Sequence, residues 1–172
     1  MTGGRTAAIV LLVLCAVCVG HALHYYPQLP ERIASHFGSS GEPDGWSSKT
    51  EFITVYLGTA GFTVALFLGA GLLMKKVPDK AINMPRKDYW LAPERREQTL
   101  ADVSARLTWL ASLTVLLLID TFHQTIMVNL GQADTLTHPW LSLGLYSALF
   151  IVWIITMLKK YLSRPEPGME SQ

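Results

Sequence analysis

The sequence predicts an all-α membrane protein with four transmembrane helices. Half of its 172 residues are hydrophobic, and they are concentrated in four blocks of roughly 20 residues, the length that a helix needs to cross the bilayer core. Almost no charge falls inside the blocks. Because a helix satisfies its own backbone hydrogen bonds where no water is present, each block predicts a membrane-spanning helix. The predicted helices are residues 7–26, 52–74, 106–128 and 139–158.

The positions of the basic residues predict the orientation of these helices. Lysines and arginines are concentrated in the loop 75–105 and the tail 159–172, whereas the loops 27–51 and 129–138 together hold two. Basic residues favour the cytoplasmic side of a membrane. We therefore expect both termini to be cytoplasmic and the loops 27–51 and 129–138 to be extracytoplasmic, in one membrane domain that covers the whole chain.

The loop 27–51 is rich in turn-forming residues. Pro43 has the fixed φ that suits the second position of a turn, and the pair Asp44-Gly45 follows it directly. Aromatic and charged residues alternate with these turns, so we expect an ordered extracytoplasmic loop with a single shape between the first and second helices.

This loop carries the motif of a known family. The pattern is L-P-x-x-I-P-x-H-F, then G-x-x-D-G-W and a lysine, and Ala34 stands where the second proline is common. A further hydrophilic piece, residues 83–91, often accompanies it. The chain therefore resembles, as far as about Leu100, a bacterial membrane-protein domain of unknown function that also forms the N-terminal part of SdpI-type toxin-immunity proteins. The matching residues are Leu29, Pro30, Ile33, His36, Phe37, Gly41, Asp44, Gly45, Trp46 and Lys49.

The resemblance implies a function in the bacterial cell membrane that is not enzymatic. SdpI-type proteins couple membrane immunity to the capture of a repressor, so a receptor-like or immunity-like protein is expected. Its outer loop would bind an extracytoplasmic ligand such as a toxic peptide, and its basic cytoplasmic loop would act on a cytoplasmic regulator. The residues expected to bind the ligand are Pro30, His36, Phe37, Asp44, Trp46 and Lys49.

Glycines on the second helix predict close helix packing. Gly58, Gly61, Gly69 and Gly71 let transmembrane helices approach closely, so we expect this helix to lie at the centre of the bundle or to form a homo-oligomer. In the following loop, Pro93 predicts a helix start, and that helix is expected to continue into the third membrane helix.

Basic and aromatic residues come together in the loop 75–105. They predict contact with anionic lipid headgroups, or alternatively a surface for a cytoplasmic partner. These residues are Arg86, Lys87, Tyr89, Trp90, Arg95 and Arg96.

Polar residues are predicted to form a rim beneath the outer loop. Arg5 to His21 and Ser104 to Asp120 are each separated by 16 residues, so the pairs His21/His24 and Asp120/His123 are expected at similar depth. His36 of the loop 27–51 is expected to point down into this rim. Three interpretations remain: a structural hydrogen-bonded network, a metal site, and a proton sensor. The rim residues are His21, His24, Asp120, His123 and Gln124, and the metal set is His21, His24, His36 and His123.

Composition and motifs exclude several classes of function. The formal net charge is +1, which gives no electrostatic basis for binding nucleic acid. No nucleophile, phosphate-loop or metalloprotease motif occurs, so we expect no enzyme and no resident cofactor. The alternative to a receptor is a metal-binding protein or small transporter subunit that uses the outer histidines, for which zinc or copper are the suitable metals.

Overall fold

The computed structural model describes residues 2–163, and the predicted tail from residue 164 onwards lies outside the described residues. Long helices dominate the chain, and a β-hairpin connects the first two of them. In chain order the elements are α1 Thr2–Tyr25, β1 Arg32–Phe37, β2 Pro43–Ser48, α2 Lys49–Lys76, α3 Lys87–Trp90, α4 Arg96–Asn129 and α5 Pro139–Leu162.

Four of the helices, α1, α2, α4 and α5, are long and apolar enough to cross a membrane. Large apolar side chains cover their outer surfaces, and α5 buries none of the residues in its most apolar stretch. Such a surface is stable against lipid and unfavourable in water. The chain is therefore a multi-pass membrane protein.

The bundle has two distinct ends. Contacts between α1 and α4 near Ala105, and between α4 and α5 near Asp102, define what we call the basic end, which also holds residues 75–95. The opposite end carries the β-hairpin and the connection between α4 and α5, and we call it the hairpin end.

The central helix is α4, which packs against α1, α2 and α5. Small buried residues on α4, including Ala111 and Ser112, let the neighbouring helices approach closely. The expectation that the glycine-rich α2 would be central is wrong. Of its four glycines only Gly71 meets α4, at Ser104, whereas the positions of the other three open onto empty space.

The predicted class of an all-α protein also needs correction, because the loop between α1 and α2 contains two strands. β1 and β2 pair in antiparallel fashion. Ser48 ends β2 and begins α2 with a capping box: its hydroxyl accepts the N–H of Glu51, and the Glu51 carboxylate accepts the N–H of Ser48. The strand therefore passes directly into a membrane helix without a flexible joint.

The helix predicted to begin at Pro93 begins at Arg96 and continues without a break into the membrane as α4. Residues 92–95 form a turn instead, in which the N–H of Arg95 donates to the carbonyl of Ala92. Arg96 then joins the new helix to the preceding loop, because its guanidinium binds Asp79 at 2.7 Å and the carbonyl of Val77 at 3.2 Å.

Candidate functional site

The hairpin, residues 32–48, has one buried and one exposed face. Ile33 is fully buried, whereas Trp46 on β2 is 53% exposed. Half-buried and exposed residues alternate along β2, as the period of two in a β-strand requires, whereas β1 buries both Ile33 and Ala34. The register shifts on either side of His36, and such bulges increase the twist of a short ribbon.

The buried face of the hairpin rests on the ends of three membrane helices. Leu29 and Ile33 pack with Phe52 of α2 and Ile126 of α4 in one apolar cluster, against which Tyr25 of α1 also packs. This cluster fixes the hairpin over the bundle rather than leaving it extended into solvent.

A side-chain amide joins the hairpin to α4. The Oδ1 atom of Asn129 accepts the backbone N–H of Ala34 at 2.7 Å, and its Nδ2 atom donates to the Ala34 carbonyl at 2.9 Å. The carboxamide thus takes the place that a neighbouring strand would occupy. The same Nδ2 atom donates to the carbonyl of Thr125 at 2.8 Å, which orients the side chain.

Asn129 was not among the residues predicted from the sequence. It stands at the end of α4, where a polar residue marks a membrane boundary, so its presence carried no special signal. The two partners are 95 positions apart, and no local pattern relates an asparagine to an alanine at that separation.

The tip of the hairpin touches the connection between α4 and α5. Gly41, with φ of +82°, turns the chain in a conformation that favours glycine. Its carbonyl accepts the N–H of Leu136 at 3.3 Å. The hairpin is therefore held at both its tip and its first strand.

The residues predicted to bind a ligand fall into two groups. Trp46 and Pro30 are exposed, whereas Lys49 is only 16% exposed and binds Glu31 at 2.8 Å. Lys49 also lies over the ring of Tyr26, so it fixes the base of the hairpin. His36 and Asp44 pair with each other on the solvent side, and Phe37 is partly buried at the end of β1.

An open cavity of about 410 Å³ lies at the exposed face of the hairpin base. The guanidinium of Arg32 is 5.3 Å from the ring centre of Trp46, a cation–π arrangement on this face. The lining residues are Glu31, Arg32, Trp46, Ser47, Ser48 and Glu51.

The predicted polar rim forms two separate clusters. In the first, His21 and His123 meet, with 3.2 Å between Nε2 of His21 and Nδ1 of His123. The hydroxyl of Tyr56 lies 3.4 Å from the other nitrogen of His21. This polar cluster, His21, Tyr56 and His123, joins α1, α2 and α4 inside the bundle. His24 is exposed and its ring packs against Tyr25 instead.

The second cluster connects α4 to α5. Gln124 donates to Asp120 at 2.7 Å and to Ser142 at 3.3 Å, and its own carbonyl oxygen accepts the backbone N–H of His138 at 3.0 Å. The His138 ring lies 3.5 Å from Asp120. Asp120 and Gln124 thus hold the first turn of α5 against α4.

The structure does not bring together the histidines predicted to bind a metal. Within residues 2–163, no group of three or more histidine, cysteine, aspartate or glutamate side chains could hold a metal ion. His36, expected to point into the rim, is 75% exposed and pairs with Asp44 because the hairpin carries it away from the bundle. Of the four histidines, only His21 and His123 meet.

Several of the predicted lipid-binding or partner-binding residues hold the basic end together. Trp90 donates its indole N–H to the carbonyl of Tyr161 at 3.0 Å, Arg96 binds Asp79, and the Arg95 guanidinium lies over the ring of Tyr89. Arg86 is exposed and Lys87 is partly exposed.

A hub on Asp102 joins α4 to α5 at the same end. Its carboxylate accepts hydrogen bonds from Arg106 at 2.8 Å and from the hydroxyl of Tyr161 at 2.7 Å, and it pairs with Lys160 at 2.8 Å. Such a network is specific in geometry because all three donors converge on one carboxylate. The basic end is therefore an ordered structure as well as a charged surface.

Comparison with known proteins identifies the hairpin region. Residues 13–58 match the family model described as a domain of unknown function, DUF1648, which confirms the resemblance to a domain of unknown function over this span. The match runs from α1 through the hairpin into α2. No curated protein matches the chain, and no solved structure matches it.

Replacement of Asn129 by leucine tests the amide contact. The variant leaves the N–H and the carbonyl of Ala34 without a partner, so we expect it to lower the free energy of unfolding by about 1–3 kcal/mol. Unfolding of the purified protein in mixed micelles, followed by tryptophan fluorescence, measures the change. Gln132→Leu, at an exposed position, is the matched control. An equal effect of both substitutions would show that the hydrogen bonds between Asn129 and Ala34 do not stabilise the protein.

Proposed function

We propose that the protein is a receptor-like or immunity-like membrane protein that binds an extracytoplasmic ligand, a peptide, through its hairpin. The observation that carries this proposal is the two-point amide contact between Ala34 and Asn129. This contact attaches the exposed hairpin of the matched family to the central helix α4. A loop that only connected two helices would not need such an attachment.

The distribution of charge supports an orientation with the hairpin outside the bacterial cell membrane. The loop 75–95 and the end of α5 are rich in lysine and arginine, and the positive-inside bias favours a cytoplasmic position for them. Both termini are then cytoplasmic, and the hairpin meets ligands that arrive from outside.

Helix α4 provides the route by which a bound ligand acts on the cytoplasmic side. Its 34 residues span roughly 50 Å at the rise of an α-helix. Asn129 contacts the hairpin at one end, and Arg96 contacts Asp79 in the basic loop at the other. A shift of the hairpin thus changes the basic loop through one rigid element.

The basic loop is the proposed output surface. Arg86 directly precedes the short helix α3, and Lys87 is the first residue of that helix. Their charge suits anionic lipid headgroups in the resting state and a cytoplasmic regulator when the loop moves. This function requires no catalytic residue and no resident cofactor.

Cysteine labelling tests the orientation. With Cys15→Ala and Cys18→Ala as background, single replacements Ser39→Cys at the exposed hairpin tip and Asn83→Cys in the exposed basic loop report the two sides. We expect a membrane-impermeant maleimide to label position 39 in intact cells and position 83 only after permeabilisation. The reverse pattern would overturn the assignment of the hairpin as extracytoplasmic.

A fluorescent reporter tests communication between the two ends. The probe is a synthetic peptide selected by display for binding to the purified protein in lipid nanodiscs, and the reporter is an environment-sensitive dye on Asn83→Cys. We expect the peptide to change the dye emission, and Asn129→Leu to abolish the change while peptide binding persists. Signalling through α4 would be contradicted if the dye emission did not change when the peptide binds, or if the change in emission persisted in Asn129→Leu.

A metal-binding protein or small transporter subunit is the second candidate, and the contact between His21 and His123 favours it. Two imidazoles that meet at 3.2 Å suit zinc or copper if further ligands come from a second copy of the chain in a homo-oligomer.

Metal analysis of the purified protein discriminates between the two candidates. The receptor proposal predicts no stoichiometric zinc or copper. Stoichiometric metal that is lost in His123→Leu and retained in His24→Leu, whose parent side chain is exposed, would favour the metal-binding candidate.

A further inference from the structure

The register of the hairpin fixes the direction of each backbone group. The N–H of Lys49 donates to the carbonyl of Glu31, so residues 31 and 49 form a hydrogen-bonded pair. Such pairs alternate with non-hydrogen-bonded pairs in an antiparallel ladder. Ala34 and Trp46, which lie opposite each other, are therefore a non-hydrogen-bonded pair whose N–H and C=O groups point away from the partner strand.

One of these two outward edges is closed. At Ala34 the Asn129 carboxamide makes both hydrogen bonds, and it offers the same groups as a peptide unit, one carbonyl oxygen and one N–H. At the β1 edge, an amide group therefore makes both hydrogen bonds that the outward N–H and C=O of this residue pair offer.

The opposite edge, at Trp46, is open. No residue in the part of the chain that the structure describes is hydrogen-bonded to its backbone N–H or C=O. Towards α2 this edge is already occupied, because the N–H of Ser48 is bound to the Glu51 carboxylate at 3.0 Å.

We propose that the ligand of the hairpin is an extended peptide that pairs with Trp46 as a third strand beside β2. This inference rests on the proposed function, in that the hairpin is the ligand-binding element. One residue of the peptide exchanges both backbone hydrogen bonds with Trp46, in the manner of strand addition to an exposed sheet edge.

The surroundings of Trp46 specify the peptide further. Residues directly opposite each other in a ladder place their side chains on the same face. The side chain of the paired peptide residue thus lies beside the Trp46 ring, at the open cavity of about 410 Å³. The carboxylates of Glu31 and Glu51 and the guanidinium of Arg32 line that cavity. Glu31 is already paired with Lys49, so contact with the Trp46 ring, and not net charge, specifies the side chain at the paired position.

Backbone methylation of the peptide tests strand addition. Peptides are selected by display on the full-length protein in nanodiscs and counter-selected on Trp46→Pro, which lacks the N–H. Each residue of a selected peptide is then N-methylated in turn. We expect methylation of the paired residue to weaken binding to the wild-type protein by about tenfold or more, because it removes a hydrogen bond and blocks approach to the edge.

Methylation of the two flanking residues, whose N–H groups point away from β2, is the internal control and is expected to change binding less than about twofold. Amide hydrogen exchange at Trp46 in the wild-type protein gives an independent measurement, and we expect the bound peptide to slow it. Trp46→Phe retains the edge amide and should keep the same position-dependence. Hydrogen exchange on the wild-type protein and the methylation scan on Trp46→Phe do not use Trp46→Pro, so both can be interpreted even if that variant does not fold.

Three outcomes would overturn strand addition: no peptide that prefers the wild-type protein, a methylation scan without a sensitive position, or a dimer of the protein itself that forms through Trp46 and excludes peptide. Failure of the proposed function looks different. In that case the methylation pattern appears as expected, but the dye in the basic loop does not respond to the bound peptide.

Discussion

The carboxamide of Asn129 binds one rung of a two-stranded sheet, and the arrangement of the hairpin end depends on this contact. A ribbon of two strands is marginally stable alone, and the hairpin acquires its shape from what it rests on. The apolar cluster of Leu29, Ile33, Phe52 and Ile126 holds the hairpin against the helices but does not fix its orientation. The two hydrogen bonds to Ala34 fix the orientation of the hairpin, because the donor and the acceptor must be matched at the same time. The packing and the hydrogen bonds together give the loop between α1 and α2 one fixed position on the bundle.

The central position of α4 follows from the unfavourable free energy of exposing polar groups to lipid. Its interior face carries small and hydroxylated residues, and hydroxyls such as that of Ser112 bond back to their own helix, which hides their polarity from the bilayer. Larger polar side chains appear only near the two ends. At the hairpin end Gln124 and Asp120 hold α5, and at the basic end Asp102 does so. Between these fixed points α4 is suited to act as a rod.

The sequence predicted the membrane helices well, because the bilayer imposes a length and a composition that are visible in any window of the chain. The ordered character of the loop 27–51 was also predictable from its turn residues. The strands within it were not, since β1 and β2 are six residues each and carry no clear alternation. The glycines of α2 misled for a related reason: a glycine permits close approach but does not say which neighbour approaches, and at Gly58 and Gly61 none does.

The candidate site was predictable only in part. Counting residues along two helices placed His21 and His123 at similar depth, and the two side chains meet. The expected downward direction of His36 failed, because the bulged register of the hairpin determines it and a bulge has no sequence signature here. Contacts such as that between Ala34 and Asn129 join residues far apart in the chain, and a single sequence contains no information on such pairs.

Native-state hydrogen exchange of the wild-type protein in nanodiscs tests the central claim, that the hairpin and the end of α4 form one rigid unit. Local opening in proteins occurs in cooperative units, and amides in the same unit share one opening free energy. The amide of Ala34 and the amides of the last α4 turn, from Ile126 to Asn129, are therefore expected to exchange with the same opening free energy and the same dependence on denaturant. Exchange of the Ala34 amide through a much smaller opening, while the end of α4 stays protected, would contradict the account.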